Sequence, residues 1–171
     1  MLNKIIRLAL TAIFLGLAVW QFIEGNIGNG IMWVLLSGLV LFTYFRNENI
    51  LIAFWHMRKN NMAKAEASLH RIKNPEKSLV KGQLAYWYML KGIVTSQSGI
   101  GKAETYLRKA LKTGLRMKHD QAMAKLQLAG IALTKRRKRE AMVLLSEVKK
   151  LDKRGMLNDQ VKMIKQQMKR I

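Results

Sequence analysis

The sequence has no cysteine among its 171 residues, which excludes disulfides and thiolate metal sites and fits a reducing compartment. Pro75 is its one proline, and β-branched alternation is absent after residue 46, so strands have little to be built from. The three histidines, His56, His70 and His119, stand at no metal-ligand spacing. The ten acidic residues are scattered, which leaves no carboxylate pair for acid–base work. Glycosylation sequons are missing too. The segment Gly99-Ile-Gly-Lys-Ala-Glu104 has the look of a phosphate loop, but Ala103 replaces the required hydroxyl and no strand precedes it. It reads better as a turn between helices. His119-Asp120 precedes a helical pattern and reads as an N-cap at Asp120. No enzyme, cofactor, metal or small-molecule substrate is therefore expected.

What is present is sharply divided. From Leu8 to Phe45 the only charge is Glu24. Of 31 Lys and Arg residues only Lys4 and Arg7 come earlier. The 29 that follow face nine acidic residues, for a formal +20. The apolar third reads as two helices, about 5–23 and 27–45, joined by the turn-forming segment Glu24-Gly-Asn-Ile-Gly-Asn-Gly30. Both are hydrophobic all round. Trp20, Trp33 and Tyr44 lie near their ends, and basic residues flank both outer ends. These features predict a transmembrane hairpin over residues 1–46 with both termini in the cytoplasm, in a multi-pass protein of a plasma membrane such as a bacterial inner membrane. A signal peptide is the competing reading of the first run, but no small-x-small cleavage site follows Trp20. Ala12 and Gly16 form a small-xxx-small pair for close helix approach, or simply ordinary packing.

After residue 46 good helix formers dominate, and a repeat emerges on alignment. Ala65, Ala103 and Ala141 are spaced 38 residues apart. Leu69, Leu107 and Leu145 follow four residues later, and Ile72, Ala110 and Val148 three after that. The first two copies share Lys-Ala-Glu-x-x-Leu. Such i, i+4, i+7 stripes predict helical hairpins in series, with a small residue where paired helices meet. Preceding each alanine are Ile52-Ala53, then Trp87, Leu90 and Gly92, then Leu128-Ala129. In this pattern the chain resembles the tetratricopeptide repeat family. It departs in its longer period and its missing terminal proline. The resemblance covers residues 47–154 and implies an all-α solenoid of three hairpins. Residues 155–171 carry Met156, Leu157, Val161, Ile164 and Met168 on one side, as a capping helix would.

The resemblance implies that a partner lies on the first helix of each pair. Carried onto this chain, the groove comprises Ile50, Phe54, Met57 and Tyr88, continued by Gly92, Met123, Leu126 and Leu133. Such an apolar, Met-containing face suits a peptide, although periodicity alone does not separate groove from core. The basic run Lys135, Arg136, Arg137, Lys138 and Arg139 is expected in a turn, with Lys149, Lys150, Lys153 and Arg154 in the next. It reads as a solvated turn, as contacts to anionic lipid headgroups, or as contacts to ribosomal RNA. The expected role is a membrane-anchored scaffold holding another protein, such as a subunit of a membrane complex. The rival is an electrostatic binder of the ribosome, RNA or anionic lipid. Arg46 runs into the first repeat helix with almost no linker, which predicts that the repeats sit close to the bilayer.

Overall fold

A computed structural model describes residues 4–45 and 47–170. Among these residues the chain is all-α, with ten helices and no strand. They fall into two compact units, Met1–Glu48 and Asn49–Ile171. The division comes two residues after the expected boundary, and the junction at Arg46 lies outside the described residues.

In the first unit, α1 (Lys4–Ile23) packs against α2 (Ile27–Phe45). The chain reverses at Gly25, whose φ of +78° suits the residue without a Cβ. Contact runs along Thr11 and Ala18 on one helix and Gly30 and Ser37 on the other, all buried. Within each pair the members are seven residues apart, a heptad seam. The Ser37 hydroxyl donates to the Thr11 carbonyl at 3.4 Å, and the rings of Phe14 and Trp33 sit 5.4 Å apart. The expected small pair is not in the seam. Ala12 and Gly16 face outward, and a Cβ at Gly16 would meet nothing within 4 Å.

The membrane expectation is corrected here. No helix among the described residues is long and apolar enough to cross a membrane. Helix α1 begins with Lys4 and Arg7, leaving an uncharged run of 16 residues from 8 to 23. At 1.5 Å per residue that is about 24 Å, against a hydrocarbon core of about 30 Å. Helix α2 begins Ile-Gly-Asn-Gly, and its apolar run from 31 to 45 covers about 22 Å. The helices exist almost where expected; the two spans, and with them the multi-pass placement with cytoplasmic termini, do not stand. The side chains of Lys4, Arg7, Tyr44 and Arg46, expected at the ends, lie outside the described residues.

The second unit stacks helical hairpins in solenoid-like order. Helices α3 (Glu48–Arg58) and α4 (Met62–His70) come first, then α6 (Lys81–Thr95) with α7 (Ile100–Thr113), then α8 (Lys118–Thr134) with α9 (Lys138–Leu151). A short α5 (Pro75–Ser78) lies between the first two pairs. The second helix of each pair begins at Met62, Ile100 and Lys138, again 38 residues apart. Each repeat alanine is buried, as are the leucine and the apolar residue that follow it. A leucine removed from water in this way contributes about 1.5–3 kcal/mol. Gly92 allows the closest approach: a Cβ there would stand 2.8 Å from Leu107 Cγ. Position 91 lies 38 residues from both Ala53 and Ala129, yet it holds a lysine. The one-place shift to Gly92 therefore supplies the small residue. Helix α10 (Asn158–Lys169) lies on α8 and α9, burying Val161 and half-burying Ile164 and Met168.

Two expectations fail locally. Asp120 is no cap, because α8 starts at Lys118 and Asp120 sits inside its first turn. Gly101 to Glu104 belong to α7, which begins at Ile100 with Gly99 as its N-cap.

Candidate interaction surfaces

The eight groove residues do not form an open face. Ile50, Tyr88, Gly92, Leu126 and Leu133 are buried, Met57 and Met123 are half-buried, and only Phe54 is exposed. They are also divided among different clusters. Tyr88 packs with Leu107 and Leu128, Ile50 with Leu69, Leu126 with Val148, and Leu133 with Ala141. The first-helix positions form core between hairpins. Tyr88 is held further by its hydroxyl, which donates to Glu76 on α5 at 2.5 Å. Burial, with that carboxylate beside it, pushes the phenol up to about 12.

The shared Lys-Ala-Glu motif has an electrostatic role that sequence reading missed. Glu66 on α4 pairs with Lys91 on α6 at 3.0 Å, reaching the next hairpin. Glu104, 38 residues on, also reaches the next hairpin. It accepts from Lys135 at 2.6 Å and Arg137 at 2.9 Å in the α8–α9 turn, and from Arg108 at 2.9 Å on its own helix. Arg108 and Arg137 also pair with Glu140. The Arg137 guanidinium, with Lys135 and Arg108, holds the Glu104 carboxyl down to about 2 against a partly opposing effect of burial. The third copy has Met142 at this position, exposed. Among the described residues it is followed by the single helix α10 rather than by another hairpin. The signal was visible as two glutamates at one repeat offset; their partners were not.

The clasp divides the basic run. Lys135 and Arg137 are turned onto carboxylates, whereas Arg136, Lys138 and Arg139 are exposed, and none pairs with a carboxylate among the described residues. Arg136 sits at the turn's tip with φ +59°, in the left-handed region. The backbone closes behind it, with Arg136 N–H donating to Leu133 O and Arg137 N–H to Ala132 O. This is a Schellman-type helix ending. Asn60, at the same offset in the first hairpin, has φ +59° and bonds in the same pattern.

The second basic cluster borders a cleft of about 480 Å³ between the start of α8 and the α9–α10 turn. Met117, Leu151 and Met156 supply its apolar lining, and Lys118, Lys153 and Arg154 its cations. His119 and Asp152 complete it. Asp152 accepts the Leu157 N–H at 2.7 Å, closing the turn. Gly155 has φ +67°, and a Cβ there would lie 2.6 Å from Asn158 Nδ2. Met156, expected on the buried side of the last helix, is 65% exposed because that helix begins only at Asn158. Lys149 and Lys150, on the exposed face of α9, do not line the cleft. Among the described residues no cluster of His, Cys, Asp or Glu has metal-binding geometry.

No family model, curated protein or solved structure matches the chain.

Proposed function

We propose that the chain is a non-enzymatic, tetratricopeptide-like scaffold whose repeat unit holds an acidic protein partner. One observation carries the reading. Each of the eight Asp and Glu side chains after Asn49 has a hydrogen-bond or ion-pair partner inside the chain. Only seven of the 28 Lys and Arg residues in that span face a carboxylate, leaving 21 among the described residues. Internal pairing leaves the unit a stiff helical stack with a cationic exterior. Such a surface steers anionic partners and repels cationic ones.

RNA is the rival partner; the placement of Trp87, Tyr88 and Tyr106 argues against it, although Trp55 is exposed with Lys59 over its ring. Trp87 and Tyr88 of α6 pack on Tyr106 of α7, Tyr88 buried and the other two half-buried. Neither basic cluster has a Phe, Trp or Tyr adjacent to it in the sequence, which disfavours base stacking there.

The test is mild crosslinking of the full-length protein, affinity capture, and identification of retained material with and without nuclease. The expected result is an acidic protein that survives nuclease and, in uncrosslinked samples, leaves near 1 M salt, where screening acts within about 3 Å. Loss of the partner on nuclease treatment, or capture indifferent to salt, overturns the proposal.

A further inference from the structure

We infer that the cleft between α8 and the α9–α10 turn docks a short acidic segment of the partner protein, seating one apolar side chain between Met117 and Met156 with its carboxylates against Lys118, Lys153 and Arg154. The inference rests on the scaffold reading and specifies where it acts.

Both kinds of chemistry converge there. Met117 is 61% and Met156 65% exposed, and both line the cleft together with the half-buried Leu151. Exposed methionines beside a concavity offer a polarizable surface that adapts to different apolar side chains. The three cations lack a carboxylate partner among the described residues. The one acid in the lining, Asp152, is engaged by the Leu157 N–H. The N-terminal turn of α8 at the cleft's edge carries Asp120, which accepts from the Tyr86 hydroxyl at 2.5 Å and offsets the helix's own positive end.

The site is also held in shape. The Asp152 link and the left-handed Gly155 fix the turn that carries Lys153, Arg154 and Met156. Burial of Leu157 and Val161 ties the following helix to α8 and α9. A preformed rim spares the partner much of the ordering cost. A volume of 480 Å³ lies within the range of about 300–1,000 Å³ typical of ligand pockets. Charge complementarity selects the acidic segment. The apolar lining selects a peptide over a phosphodiester chain, which has nothing to place between two thioethers.

The test titrates full-length protein, carrying ¹³C-methyl methionine, with two labelled peptides. One is a run of glutamates with a central phenylalanine; the other is glutamate throughout. Met117→Leu and Met156→Leu assign the two resonances by their disappearance. The phenylalanine peptide is expected to bind about tenfold more tightly or better, the worth of one buried aromatic side chain, and to move both methyl resonances. Met117→Ser with Met156→Ser should abolish the difference between peptides. Lys153→Glu with Arg154→Glu should weaken both. Equal binding with unmoved methyls overturns the cleft while leaving the electrostatic scaffold standing. Failure of both peptides to bind overturns both. Random duplex RNA that moves the same methyls replaces the peptide with nucleic acid.

Discussion

The two units share a secondary structure and reverse its polarity. In the α1–α2 hairpin, small residues occupy the seam and large apolar side chains such as Leu8, Val19, Leu35 and Leu39 point outward. In the repeat unit the repeat leucines Leu69, Leu107 and Leu145 are buried, and most of the cations are exposed. Hydrophobic content therefore does not decide whether a helix pair builds a core. Periodicity does: a stripe gives the helix an inside, whereas a helix apolar all round keeps its small residues for contact and leaves the bulky ones over.

The comparison breaks most readily at a leucine. Leu107 is fully buried between α6 and α7, and Leu107→Ala should cost about 3 kcal/mol by transfer and cavity terms. Leu35→Ala, on a residue 69% exposed, should change stability by less than about 0.5 kcal/mol. Urea unfolding of the full chain followed by circular dichroism checks both. Equal costs would erase the distinction between the units. Gly92→Ala comes next. Its methyl would overlap Leu107, and overpacking of this kind costs about 1–3 kcal/mol. Gly16→Ala in the hairpin meets open space and should instead stabilise α1 slightly through helix propensity.

The 38-residue alanine ladder was legible because buried stripes repeat at helical spacing. The second helices of the three pairs begin at the same 38-residue spacing. Three kinds of information were not legible. Registers one residue apart look alike, so Ala12 and Gly16 stood out although Thr11, Ala18, Gly30 and Ser37 make the contact. Periodicity marks which side of a helix is apolar but not what faces it, so Tyr88 and Leu126 suggested a groove where they fill the core. Charge counts say nothing of pairing. Lys135 and Arg137 read as free cations until the fold brings Glu104 to them from 31 and 33 residues away.

That pairing gives the repeat unit an acid sensitivity. Glu104 has its carboxyl held down to about 2 from an ordinary 4.5. A group depressed on folding contributes stability that is complete above its unfolded value and is lost as pH falls through the folded one. The clasp should therefore weaken between about pH 4.5 and pH 2. At neutral pH, Glu104→Gln should cost about 1–2 kcal/mol, a figure discounted because its partners are substantially exposed. It should also flatten the acid limb. Thermal melting against pH for both proteins decides this, and superimposable acid limbs would remove Glu104 as the cause.

A further substitution is expected to stabilise the repeat unit. Arg136 holds a left-handed conformation that costs a residue with a Cβ about 1–2 kcal/mol. Arg136→Gly relieves that cost and restores part of it through a more flexible unfolded chain. The net expectation is a gain of about 0.5–1 kcal/mol, read as a higher urea midpoint. Asn60→Gly, at the matching turn, should gain less, because asparagine tolerates the left-handed region. A fold that improves when Arg136 is replaced does not need the arginine for stability. Its charge at the tip, beside the exposed Lys138 and Arg139, is then available to contribute to the cationic exterior. If Arg136→Gly destabilises the protein, the turn is not strained, and the basic run is a structural ending like that at Asn60.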